Sequence, residues 1–365
     1  MKHFILFIAT VLAMVACTDR NSFRLVGYLP ENIPDSSFVY IWNSQFEPLD
    51  SALVIAHRFD IRCDVPDSAA LYFILTDVET PPVPFVPEYG KLTLNTDTAA
   101  ITTVTGSKTN DAFATFSHRL EQLSLRADRW VEHKNAIKVA GALTSETYNG
   151  WETEMNLIND SIETAIVAMI QSCIGTPLAD YVFQSNSYYL SRENIDLLLS
   201  QLSSAFRNGN LFAQYKALLA TLDATAEGKP FVDVSGFTLD GKKVSLSQFV
   251  GRGKVVLLDF WASWCGPCRR AIPEMKALNS RYPADKFAII GISLDSDKSA
   301  WANTTAREGV IWQQFSNLQG WQEPAAAAYG VRGIPCTILI DRQGTIVGRD
   351  IEIDRLIYTI DELVN

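Results

Sequence analysis

Val255-Val256-Leu257-Leu258-Asp259-Phe260-Trp261-Ala262-Ser263-Trp264-Cys265-Gly266-Pro267-Cys268 is the stretch on which the fold of this 365-residue chain turns. Its first eight residues are a nearly unbroken apolar run rich in β-branched and aromatic side chains, the pattern of a strand buried on both faces. The residues that follow, Arg269 to Leu278, carry apolar positions at helical spacing, which predicts a helix kinked at Pro273. The two cysteines therefore stand one helical turn apart where a strand gives way to a helix. Unsatisfied backbone N–H groups and the positive end of the helix dipole stabilise a thiolate at such a place, which makes Cys265 the candidate nucleophile. Cys268, one turn further in, is expected to be more buried and protonated, and to close the Cys265–Cys268 disulfide by attacking a mixed disulfide on Cys265. Gly266 and Pro267 preorganise the helix start, where the missing proline N–H costs little. Asp259, alone in an apolar strand, must find partners or hold its proton more tightly.

Strands and helices alternate outward from this motif. A hairpin turning at Asp240-Gly241, strands over Phe287–Ser293 and Thr337–Ile340, a helix over roughly Lys298–Glu308, a hairpin at Arg342-Gln343-Gly344 and a helix from about Glu352 predict an α/β layer over 230–365. Upstream, the polar stretch 223–229 reads as a linker. Residues 111–222 show helical periodicity, and Ile162, Ile166, Met169, Ile170, Cys173 and Ile174 define one buried stripe. Residues 17–110 contain short strand-like runs (Ser37–Trp42, Ala52–Ile55, Ala70–Leu75) parted by turn signals, which predicts a small all-β domain of unknown function. There Phe59, Ile61 and Cys63 alternate with charged residues, so Cys63 falls on a core-facing side. The whole is a multidomain chain: all-β, then helical, then α/β.

The formal net charge of -10 offers no basic footprint for nucleic acid. Residues 1–16, with Lys2 and an apolar run from Phe4 to Ala16, are too short to span a bilayer as a helix and read as an export signal. Met14-Val15-Ala16-Cys17 resembles a bacterial lipobox, which implies lipidation of Cys17 and a membrane anchor. Thr18 at the next position resembles lipoproteins sent to the outer rather than the inner membrane. Export would place the chain in the cell envelope, facing the periplasm, where disulfides persist.

Asp259-Phe260-Trp261-Ala262, Trp264-Cys265-Gly266-Pro267-Cys268, Pro273 and Gly333-Ile334-Pro335 occur in order over about 228–365, and together they resemble the thioredoxin fold of the membrane-anchored, extracytoplasmic TlpA/ResA-like oxidoreductases. The region before it resembles an uncharacterised β-domain found ahead of thioredoxin modules in exported lipoproteins. The resemblance implies that Asp259 lies beneath the cysteine pair as proton acceptor for Cys268. It also implies a cis bond between Ile334 and Pro335, with the Ile334 backbone pairing with an extended client and Pro335 keeping metal from the thiols. Trp264, Gly266, Pro267, Ile334 and Pro335 become the candidate client surface, with Trp261 either joining it or packing in the core. Two positions depart from the pattern. Cys336 puts a third sulfur after Pro335, either an auxiliary thiol or a small buried hydrophobe, and Gly291 stands where thioredoxins carry a buried lysine.

The activity implied is a thiol:disulfide oxidoreductase that reduces client disulfides and is recharged by a membrane electron donor, with a redox-active disulfide and no other cofactor. A peroxiredoxin needs a Thr or Ser two turns before its cysteine with a Pro ahead of that, and Asp259 to Trp264 offers neither pattern. One Cys pair with no histidine nearby in sequence is not a metal site. A lipoprotein scaffold, in which the thioredoxin module only docks a partner, is the alternative from another class.

Overall fold

The computed structural model describes residues 21–364 apart from 79, 98, 99, 141–143 and 352. The export signal, Cys17 and Thr18 lie outside the described residues. Two units divide the chain: one runs up to Tyr189 and adds Gln201–Ser203, and the other takes Leu190–Ser200 and continues from Ser204.

The first unit opens with β1 (Ser22–Tyr28), β2 (Phe38–Asn43), β3 (Pro48–Leu53), β4 (Arg58–Asp64), β5 (Tyr72–Thr76), β6 (Val83–Phe85), β7 (Gly90–Thr96) and β8 (Thr102–Thr105). They form two four-stranded sheets, β4-β1-β7-β8 and β3-β2-β5-β6. Alternation explains the arrangement: Phe23, Leu25, Phe59, Ile61, Leu92 and Leu94 of one sheet share a core with Val39, Ile41, Ile74 and Phe85 of the other. Cys63 follows Phe59 and Ile61 onto that side and packs, half-buried, at its margin. Helices α1 (Lys108–Val139), α2 (Ser145–Ser172) and α3 (Pro177–Asn186) follow. Ile162, Ile166, Met169 and Ile170 of the expected stripe are buried. The stripe stops there, because α2 ends at Ser172 with Cys173 as its C-cap, and Gly175 at φ 75° turns the chain into α3. Cys173 is consequently half-buried and Ile174 is exposed.

In the second unit, α4 (Arg192–Leu199), α5 (Ser204–Arg207) and α6 (Asn210–Ala224) precede β9 (Ser235–Phe237), β10 (Lys243–Ser245), β11 (Val255–Trp261), α7 (Gly266–Arg281), β12 (Phe287–Ser293), α8 (Lys298–Glu308), β13 (Gln313–Phe315), α9 (Pro324–Ala328), β14 (Cys336–Ile340), β15 (Ile346–Arg349) and α10 (Ile353–Val364). The sheet order is β13-β12-β11-β14-β15, with β11, β12 and β13 parallel and β14 and β15 antiparallel to their neighbours. Every residue of β11 is buried, as its apolar run requires of a central strand. The α7 helix runs through Pro273 to Arg281.

The stretch 223–229, expected as a linker, is built into this unit. Gly228 N–H donates to Ile346 O at 2.9 Å, Ile346 N–H donates to Lys229 O at 2.8 Å, and Pro230 bridges Thr345, so the chain covers the outer edge of β15. Thr225 is buried and receives an Arg349 N–H at 3.4 Å. Composition does not disclose such edge pairing, because main-chain groups make the bonds and any polar residue can supply them.

Candidate active site

Strand β11 sets the site and α7 completes it. Ser263, in the turn between them, donates its backbone N–H to Asp295 Oδ2 at 3.0 Å and its hydroxyl to Asp295 Oδ1 at 2.5 Å. Asp295, just past β12 and buried, also accepts the Ser293 hydroxyl at 2.7 Å. These bonds fasten the turn so that Cys265 arrives as the N-cap of α7, with its own N–H on Ala262 O at 3.1 Å. Sequence reading missed Asp295. Its signal was an acid at the C-terminal end of the strand beside the cysteine strand, where open α/β sheets place functional groups.

Cys265 and Cys268 form a disulfide with their Cα atoms 5.3 Å apart. The Cys268 backbone N–H donates to Cys265 Sγ at 3.1 Å, so the helix end offers that sulfur a fixed donor. Both cysteines are 4% exposed, whereas Cys268 was expected to lie deeper. The disulfide draws the two sulfurs together, and Cys265 Sγ lies only 3.7 Å from Ile334 O, so the loop before β14 covers the first cysteine as well. The Ile334–Pro335 bond is cis, as the resemblance implied.

Asp259 sits in β11 between Gly291 of β12 and Thr337 of β14, and is 7% exposed. Burial alone pushes its carboxyl up to about 7. Trp261 is core: 3% exposed, it donates its indole N–H to Gln314 Oε1 at 3.1 Å. Trp264 is 56% exposed and meets Trp321, itself 52% exposed, with ring centroids 6.1 Å apart. Trp321 was not found in sequence, although a lone tryptophan in the polar run Asn317-Leu318-Gln319-Gly320-Trp321-Gln322-Glu323 has no local core to enter.

Cys336 pairs with Phe260 across β11 and β14, one residue out of step with the Asp259–Thr337 pair, so its side chain points to the opposite face of the sheet from Asp259. It is 5% exposed, an Arg349 N–H lies 3.5 Å from its sulfur, and burial pushes its thiol up to about 12. Arg349 and Asp350 are the charged groups beside it.

Comparison with known proteins finds a match within each unit. Residues 228–349 match the AhpC/TSA family, and residues 23–113 match a domain of unknown function, DUF4369. The thioredoxin-like protein YneN of Bacillus subtilis is 36% identical over 120 residues, 33% of this chain and 68% of that protein. The thiol-disulfide oxidoreductase ResA of Geobacillus thermodenitrificans is 32% identical over 123 residues, 34% of this chain and 68% of that protein. A solved thiol-disulfide oxidoreductase from Bacteroides fragilis is 35% identical and aligns with 37% of this chain and 99% of its own, at a TM-score of 0.35.

Proposed function

The chain belongs, through its C-terminal third, to the thioredoxin-like thiol-disulfide oxidoreductases, and on that premise we propose that it reduces disulfides of exported client proteins by cycling Cys265 and Cys268 between dithiol and disulfide. The observation that carries this reading is the Cys268 N–H held 3.1 Å from Cys265 Sγ at the mouth of α7, a donor already in place for the thiolate that reduction creates.

In the first step the Cys265 thiolate attacks a client disulfide. A Cys265–client S–S bond forms, the client S–S bond breaks, and one client sulfur leaves as thiolate. In the second step Asp259, as carboxylate, takes the Cys268 proton, and Cys268 attacks Cys265 Sγ. The protein disulfide forms, the second client thiolate leaves, and two electrons have passed to the client. Near neutral pH a carboxyl held at about 7 exists in both forms, which suits it to accept a proton and give it up again. Trp264, Gly266 and Pro267 border the sulfurs, and Ile334, before cis-Pro335, offers main-chain groups to an extended client.

The reducing direction is supported by analogy: the Gly266-Pro267 dipeptide is shared with thioredoxin, at about -270 mV, rather than with the oxidant DsbA, at about -120 mV. An electron donor at the membrane recharges the pair, and no other cofactor takes part. Lipidation at Cys17 tethers the protein to the envelope, facing the periplasm, at the outer membrane in preference to the inner. Expressing Cys268→Ser with Cys336→Ser tests the proposal: client proteins should accumulate as mixed disulfides on Cys265, releasable by dithiothreitol. An empty trap, or a measured potential near that of DsbA, sinks it.

A further inference from the structure

Gly291 stands directly beside Asp259 in the parallel β11–β12 register, so a side chain there would share the Asp259 face. Two groups occupy that space instead. A Cβ on Gly291 would meet Gln314 Cγ at 2.9 Å and the indole nitrogen of Trp312 at 3.2 Å. Gln314 is already engaged, its Oε1 accepting both the Trp261 indole N–H at 3.1 Å and the Trp301 indole N–H at 3.0 Å. Trp312 is 8% exposed, and its Nε1 is buried with no hydrogen-bond partner. A buried N–H without an acceptor costs about 1–3 kcal/mol, so a native structure retains one for a reason.

We propose that Trp312 is a positioning residue for the proton transfer: admitted to the Asp259 pocket by the missing side chain at Gly291, its indole N–H donates toward the Asp259 carboxylate through one bridging water. This rests on the reading of Asp259 as the base for Cys268. Adjacent strands stand about 4.8 Å apart, which brings an indole nitrogen beside the Gly291 Cβ position within one water of the carboxylate. The neighbours of Asp259 within the sheet on that face are uncharged: Trp261 on β11, Gly291 on β12, Gln314 and Trp312 at β13, and Thr337 on β14. Arg349 and Asp350, near Thr337, contribute nothing to its shift, which burial alone produces. On the reading of Asp259 as base, the cysteine pair is its titratable neighbour in the reduced protein. A neutral donor therefore favours the carboxylate without fixing a cation beside the thiols, as a buried lysine would.

The full chain, oxidised, is titrated by 13C NMR of the Asp259 carboxyl, and the pH profile of peptide-disulfide reduction is recorded on the same variants. Trp312→Phe keeps a ring and removes the N–H. It should move the Asp259 midpoint upward by about 0.5 to 1 pH unit and carry the acid limb of the rate profile with it. Trp301→Phe, at a buried indole whose N–H is committed to Gln314, should move neither. Gly291→Ala displaces the same indole by a second route and should shift the midpoint in the same direction, which keeps the test alive should Trp312→Phe fail to fold. An unmoved midpoint in the folded variants overturns the role of Trp312. A midpoint that moves while the rate profile stays put overturns instead the reading of Asp259 as base.

Discussion

Strands β4 and β11 each place an aspartate in a seven-residue strand, with a cysteine close behind in sequence, and the two units treat these residues in opposite ways. In β4 the charged residues face outward: Asp60 accepts the Arg24 Nε–H at 2.8 Å, and that bond holds its carboxyl below the usual range. Cys63, three residues on, is half-buried at the edge of a β-core, where desolvation, aided by Asp50, raises its thiol to about 12. In β11 the aspartate has no outward face to use, and burial raises it to about 7. Cys265 follows at a helix mouth, with a backbone donor on its sulfur. The residue types do not decide the chemistry; the number of faces the strand buries and the element that follows it do.

The widest separation between the two regions should come from their cysteines. Cys265→Ser is expected to lower insulin-disulfide reduction by at least about 1,000-fold, since it removes the nucleophile itself. Cys63→Ser should leave the rate within about twofold, because a thiol held near 12 is not ionised at neutral pH. Loss of activity in Cys63→Ser would break the contrast.

The aspartates come next, and they should differ in sign as well as size. Asp259→Asn removes a proton acceptor and should slow reduction by about 100-fold. It should also stabilise the oxidised protein, and the pH window follows from the raised carboxyl. Between about 4 and 7 the unfolded chain ionises Asp259 while the folded one keeps it protonated, so wild-type stability falls as pH rises through this range. The gain in Asp259→Asn should therefore be absent at pH 4 and reach on the order of 4 kcal/mol by pH 8, read by urea unfolding. Asp60→Asn, in an exposed pair, should cost under about 1 kcal/mol with no effect on rate. A pH-independent Asp259→Asn difference would show that the carboxyl is not held protonated in the fold.

Aromatic pairs with at least one exposed ring give the finest comparison. Trp264 and Trp321 meet beside the disulfide, while Phe46 stacks on Phe73 in the first unit with centroids 5.9 Å apart. Trp321→Ala should raise KM for a peptide disulfide by about fivefold with little change in kcat, roughly the worth of one aromatic contact. Phe46→Ala should change neither constant. Equal effects would mean that the tryptophan pair serves packing rather than client contact.

Much of the second unit was legible because its signals are local. The apolar run of β11, the helical spacing after Cys268, the Asp240-Gly241 turn and the proline after Ile334 each act over a few residues, and the elements appear where those patterns put them. Asp295, Trp321 and Trp312 were not legible, because each acts on the motif from more than 30 residues away through sheet order and loop packing. Cys173 and Ile174 failed differently: periodicity shows which face is apolar but not where the helix stops, and the stop depended on Gly175 and on the start of α3.

The sequence by itself determined that two thiols meet at a strand-to-helix junction and that an acid is buried behind them, since burial and helix ends are written in residue patterns. The tertiary structure alone decided what surrounds those groups. Register across β11 and β14 turned Cys336 to the face away from Asp259, and the absent side chain of Gly291 let an indole N–H in where another residue would have excluded it. Edge pairing with β15 absorbed a polar stretch that reads as linker. Each is a long-range pairing between main chains or facing side chains, and such pairings exist only once distant segments have been brought together.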